Sequence, residues 1–241
     1  MTSDDQLDVI AVAAHPDDVE LGCSGFLFNL GCEGYRTGII DLTDGEPTPF
    51  NDDPSIRLAE ARTSANILKC RKRITLDLPN RKLMDSFEAR IKLATEFRKF
   101  RPKLILVQYG QTPRASPDHY QAQIIADSAI FYSQLSKWAE YFGDLQPHKI
   151  YGLVYYTTGR EIVSISSNLF PFYVDITEAW ETKVQAIRAY ESQFRVDPRS
   201  AGAIKWIEAL NRYYGHELGV LYAEKFLSTR PVQLKSVEQF F

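Results

Sequence analysis

The chain has 241 residues, of which 44% are hydrophobic and 24% charged, with a formal net charge of −3. That length supports one sizeable buried core, and the composition excludes wholesale disorder. The slightly acidic balance excludes the basic footprint of a nucleic-acid binder.

The three cysteines, Cys23, Cys32 and Cys70, form no CxxC pair and are too few for a disulfide framework, which points to a reducing compartment. The acidic N-terminus lacks the basic start of a signal peptide, and no apolar run is long enough to span a bilayer. A cytoplasmic location without a membrane partner is therefore expected.

Leu7 to Ala14 (LDVIAVAA) is a nearly continuous apolar run, as expected of a strand buried on both faces. It ends in His-Pro-Asp-Asp, and Gly22 to Leu30 reads as a helix. Tyr35 to Thr43 is a second strand, and the Pro-, Asp- and Asn-rich stretch from Asp44 to Pro54 a loop. Helical spacing from Ser55 to Lys69 precedes a third strand at Arg73–Leu78. A helix at Phe87–Phe100 and a fourth strand at Lys103–Gln108 follow. Beyond a loop, one helix is expected from His119 to Tyr141, then strands at Lys149–Tyr156 and Phe172–Ile176. Helices at Thr177–Tyr190 and around Ala201–Tyr214 complete the reading.

Strands alternating with helices of this length predict βαβ units: a single α/β, Rossmann-like domain with a mainly parallel sheet flanked by helices. No repeat, low-complexity tract or composition shift divides the chain, so residues 1–241 are expected to form one domain.

In such sheets ligands bind beyond the carboxyl ends of the strands. Three polar clusters fall there: His15–Asp18 after the first strand, Asp41–Glu46 after the second, and Ser116–His119 after the fourth. His15, Asp18 and His119 offer a donor set that suits Zn²⁺, with Fe²⁺ as the alternative. Three protein ligands with an open fourth position define a catalytic zinc site. Asp17 is then free to serve as general base toward water that the metal activates. Taken alone, His-Pro-Asp-Asp also reads as a plain helix start, and it is the third cluster's His119 that tips the balance.

Several segments together resemble the PIG-L/LmbE-like de-N-acetylases: AHPDDVELGCSG at 14–25, DLTDGE at 41–46, Arg57-Leu58-Ala59-Glu60-Ala61 and Pro117-Asp118-His119. ESQF at 191–194 and GVLYAEKF at 219–226 extend the resemblance over nearly the whole chain. It is nearest to the bacillithiol-biosynthesis branch, which deacetylates N-acetylglucosaminyl malate. The resemblance implies His15, Asp18 and His119 as zinc ligands and Asp17 as catalytic base. It implies Arg57 as a substrate contact and Glu46 as a residue near the sugar hydroxyls. A guanidinium suits a carboxylate such as malate, although Arg57 also reads as a solvated helix arginine pairing with Glu60. The implied reaction is hydrolysis of the N-acetyl group of a small amino-sugar conjugate, releasing acetate.

One departure stands out. The family's His-Pro-Asp-His reads Ser116-Pro117-Asp118-His119 here, and a serine hydroxyl cannot be a cation near neutral pH. The family's oxyanion tyrosine aligns near Ala203. His216, His148, Arg114, Trp206 and Tyr213 are other polar groups available, with His216 and His148 expected as exposed loop histidines. The serine keeps two rival readings open: a metal-binding homologue that holds an amino-sugar ligand without efficient turnover, and a deacetylase of another glycoconjugate. An NAD-linked oxidoreductase is disfavoured because Gly22 and Gly25 lack the GxGxxG spacing. The aromatic-rich stretch from Trp206 to Phe226 is expected to serve the core and subunit contacts of a homo-oligomer.

Overall fold

The computed structural model describes residues 6–48, 51–113, 115–161, 168–195 and 202–231; Arg114 lies outside them. In chain order the elements are β1 (Val9–Ala13), α1 (Asp18–Gly22), α2 (Ser24–Cys32), β2 (Thr37–Asp41), α3 (Pro54–Ile67), β3 (Lys72–Thr75), α4 (Phe87–Phe100) and β4 (Leu104–Gln108). There follow α5 (Asp118–Ser133), α6 (Ala139–Phe142), β5 (Gly152–Tyr156), β6 (Phe170–Asp175), α7 (Trp180–Arg188), α8 (Glu191–Phe194), α9 (Ala203–Leu218) and β7 (Ala223–Ser228).

The strands form one sheet in the order β3-β2-β1-β4-β5-β7-β6. All neighbours from β3 to β5 run parallel, and β7 pairs antiparallel with both β5 and β6. The apolar runs of β1, β2 and β4 alternate between two cores, as a strand's period of two dictates. Ile10, Val12, Ile40 and Val107 pack with Leu93 and Phe97 of α4 and Ile125 of α5. Val9, Ala11, Ile39 and Leu106 pack on the other face with Val19 of α1 and Leu27 of α2. The strand order reverses between β1 and β4, and a crevice opens there at their carboxyl ends.

Local chemistry sets the element ends. Asp53 accepts the Ser55 N–H at 2.8 Å with Pro54 in the first turn of α3, and Ser86 caps α4 through the Ala89 N–H at 3.1 Å. Two features seat α1 on the sheet. Tyr156 donates its hydroxyl to the Val12 carbonyl at 3.1 Å, and Gly22 leaves room for that ring. A Cβ on Gly22 would lie 2.2 Å from it.

Three expectations are corrected. The helix from His119 stops at Ser133, because Arg98 donates to the carbonyls of Ser133, Leu135 and Leu145 and so satisfies the end of α5. The third strand ends at Thr75 rather than Leu78. An unexpected strand, β7, lies inside the sheet; its apolar pattern is hidden by Glu224, a buried carboxylate paired with Lys183 at 2.7 Å. No helix among the described residues is long and apolar enough to cross a membrane.

Candidate metal centre

The crevice between β1 and β4 gathers the polar clusters. His15 follows β1, Asp18 opens α1, and His119 lies in the first turn of α5 beyond β4. The loop after β2 is tied to the end of β1 by Thr43, whose hydroxyl donates to the Ala14 carbonyl at 2.9 Å. The side chains of His15, Asp18 and His119 are all buried.

Their donor atoms face one another. His15 Nδ1 is 3.3 Å from Asp18 Oδ2, and His119 Nε2 is 3.3 Å from Asp18 Oδ1. One ligand atom from each residue lies within 4.8 Å of the others, a group that could hold a metal ion. Ligands about 2.0–2.1 Å from a tetrahedral ion sit roughly 3.4 Å apart, so these spacings fit a shared cation. The remaining ring nitrogens are held from behind. His15 Nε2 lies 3.3 Å from Asp118 Oδ2, and His119 Nδ1 lies 2.8 Å from the Thr112 hydroxyl. Such partners orient a ligating imidazole and select its tautomer.

Charge balance in the metal-free chain agrees. Burial disfavours a charged His15, yet the carboxylates of Asp118 and Asp18 raise its pKa to about 9. Burial would likewise raise Asp18, but His119 and His15 hold it well below the usual carboxylate range.

Asp17 stands beside this group in the left-handed region, at φ 116°, a conformation costing about 1–3 kcal/mol for a residue with a side chain. Its carboxylate receives Arg57 Nη2 at 3.0 Å. Burial pushes the Asp17 carboxyl up to about 7 against the pull of Arg57, and the neighbouring Asp18 charge adds to the rise. A carboxylate titrating there suits a general base.

Arg57 is itself buried. Its Nε and Nη2 donate to the Pro16 carbonyl at 3.1 and 2.7 Å, and its Nη1 to the Gly45 carbonyl at 2.8 Å. Gly45, at φ 79°, makes the room: a Cβ there would fall 2.7 Å from the guanidinium. Glu46 Oε1 lies 3.6 Å from Arg57 Nη1, and its carboxylate also accepts from Thr48 N–H and Gln193 Nε2. The helix pair of Arg57 with Glu60 does not form, since Glu60 accepts from Ser192 N–H and Oγ at 2.8 and 2.6 Å.

A cavity of about 150 Å³ opens onto Asp18 and His119. Gln108, Thr158, Arg160 and Trp206 also line it. Trp206 thus faces the cavity, its indole N–H on the Thr158 carbonyl at 3.2 Å. The sequence holds no signal for the roles of Thr112 or Arg160, whereas Asp118 sits inside a motif already singled out. Ser116 accepts the Asp118 N–H at 3.2 Å through its hydroxyl and helps start α5. His148 is buried, with Nε2 on the Pro102 carbonyl at 2.7 Å, and is not an exposed loop residue. His216 is exposed near the end of α9.

Residues 10–130 match the family model of the GlcNAc-PI de-N-acetylases, PIG-L. The chain is 29% identical over 225 residues to the diacetylchitobiose deacetylase of Thermococcus kodakarensis, covering 90% of this chain and 80% of that protein. It is similar to the crystal structure of a conserved protein from Thermus thermophilus, with a TM-score of 0.80 and 33% identity across 96% of this chain and 99% of that one. The N,N'-diacetylchitobiose deacetylase from Pyrococcus horikoshii gives a TM-score of 0.79 at 25% identity, over 94% and 85% of the two chains.

Proposed function

Since the chain belongs to the GlcNAc-PI de-N-acetylase (PIG-L) family, we propose that it is a Zn²⁺-dependent deacetylase. In this reading it hydrolyses the N-acetyl group of a small N-acetylglucosaminyl conjugate and releases acetate. The observation that carries the reading is the convergence of His15, Asp18 and His119 on one point, with the carboxylate of Asp17 beside them. Similarity to two diacetylchitobiose deacetylases supports the acetamido sugar as substrate. N-acetylglucosaminyl malate is one candidate conjugate, Fe²⁺ is the alternative metal, and residues 1–241 act as one deacetylase domain in the cytoplasm.

A divalent cation bound there supplies Lewis-acid polarisation of the acetyl carbonyl and acidifies water. The chain's own groups do the rest. Asp118 and Thr112 fix the two imidazoles so that Nδ1 of His15 and Nε2 of His119 face inward. Asp17 accepts the proton of the attacking water and is held in place by Arg57. Glu46 balances the second edge of that guanidinium, so both residues act on the substrate side of the cleft through Asp17. Burial keeps competing water from screening these charges.

The test is product identification. Metal-loaded protein should release acetate and free amine in equal amounts from at least one of N-acetylglucosaminyl malate, diacetylchitobiose or a simple N-acetylglucosaminide. Tight binding of these sugars with no acetate released would favour the second reading, a ligand-binding homologue, for which the hydroxyl of Ser116 engaged at the start of α5 is the specific observation.

A further inference from the structure

Gln108 ends β4 at the strand's carboxyl tip, beside the point where the sheet order reverses. Leu104 and Leu106, four and two residues earlier, both pack in the core beneath α1 and α2, and the strand's alternation puts Gln108 on that face. A residue kept for packing there would be apolar. The glutamine is nevertheless only 1% exposed. Its Oε1 is buried with no hydrogen-bond partner among the described residues, and its side chain lines the same cavity as Asp18 and His119. An amide oxygen left dry and unpaired is destabilising, and a donor arriving with the ligand would offset that.

We propose that Gln108 is a substrate-contacting residue whose Oε1 accepts the N–H of the acetamido group being hydrolysed. The inference rests on the deacetylase reading above. In a trans amide the C=O and N–H point to opposite edges of one plane. An acetamido group that presents its carbonyl to the His15–Asp18–His119 centre therefore turns its N–H to the cavity wall, where an acceptor is needed. Water adds to the acetyl carbon, the C–N bond breaks, and the proton taken by Asp17 ends on the nitrogen, so acetate and a free amine leave. The nitrogen remains a donor to Gln108 throughout. The Ser116 hydroxyl oxygen is already engaged by the Asp118 N–H. Gln108 thereby selects amides over esters, because only the amide has the N–H.

The test pairs two substrates: the methyl glycoside of N-acetylglucosamine and methyl 2-O-acetylglucoside, the ester that lacks the donor. Gln108→Leu should lower kcat/KM for the amide about 10–100-fold while leaving ester turnover within about twofold. Metal content should be unchanged, and the Tm of the metal-free variant should rise because the unpaired carbonyl is gone. Gln108→Met, unbranched and nearer in length, should give the same pattern. Equal losses on both substrates, or a lowered Tm with the amide-to-ester ratio unchanged, would overturn the proposal and leave the deacetylase reading standing. A wild type that releases acetate from neither substrate would remove that reading and this proposal with it.

Discussion

The segment from Asp17 into helix α1 carries acidic residues into two buried charge clusters that differ in kind. Asp17 and Asp18 face the crevice. Glu20, a little further along, faces inward, where its Oε1 accepts from Ser64 Oγ at 2.6 Å, Arg73 Nη1 at 2.5 Å and Tyr190 at 3.0 Å. Arg73 then forks onto Asp41 at 2.7 and 2.9 Å. Titration is displaced in both places. Burial raises Asp41 against the pull of Arg73, much as it raises Asp17 against Arg57. A shifted carboxylate therefore does not distinguish a catalytic cluster from a structural one. What distinguishes them is the direction of the free lone pairs. Around Glu20 the arginine is matched to two carboxylates, and although Glu20 Oε2 has no hydrogen-bond partner, the cluster forms no group able to hold a metal among the described residues; at the crevice two imidazoles, each held from behind, and a carboxylate face a common point.

The largest expected difference lies in metal binding. His119→Ala should abolish stoichiometric metal and activity together, whereas Glu20→Gln should leave the metal content of the folded protein intact; retention of full metal by His119→Ala would break the comparison. Asp17→Asn comes next. It should keep its metal and lose about 10²–10⁴-fold in kcat, as removal of a general base does, and metal loss in this variant would instead make Asp17 a ligand. Glu20→Ala strands Arg73 with half its charge partners, and should destabilise the fold by about 3–5 kcal/mol, read as denaturant midpoint, with KM unchanged in whatever folds.

Titration provides a fourth test. His15 is raised from 6.5 to about 9 in the metal-free chain. Its charged form therefore contributes stability that is fully present below pH 6.5 and lost as pH rises through about 9. The Tm of metal-free protein should fall across that window, while the metal-loaded Tm should not, since the cation replaces the proton. Metal affinity should rise about tenfold per pH unit over the same range, one proton being displaced. A metal-free Tm that climbs toward pH 9 would contradict the geometry. The smallest effect is expected from Ser116→His, which adds a group able to donate near pH 7; kcat should rise about tenfold or less. A fall in kcat would show that another group already does that work.

Much of the fold was legible in the sequence for physical reasons. Strands buried on both faces must be largely apolar, as β1 is throughout and β4 is up to Gln108. The crevice followed from strands alternating with helices, and His15, Asp18 and His119 from their positions just past strand ends. What was hidden involved charges buried in pairs. Glu224 interrupts β7 as a sequence pattern, but Lys183 neutralises it and the N–H groups of Gly25 and Phe26 bind it at 2.9 and 2.8 Å. The end of α5 depends on Arg98, distant in sequence. Arg57 showed a similar limit, because only the structure reveals that its donors go to Pro16, Gly45 and Asp17. Gln108 is a polar residue where alternation calls for an apolar one.

The central claim is that one metal held by His15, Asp18 and His119 drives hydrolysis of an acetamido sugar. Its most direct test is a titration of metal-free protein with Zn²⁺ while acetate release from an N-acetylglucosaminide is followed. Activity should rise linearly and level off at one Zn²⁺ per chain, and His119→Ala should stay at the baseline throughout. Full activity before any metal is added, or a His119→Ala curve that overlays the wild type, would contradict the account.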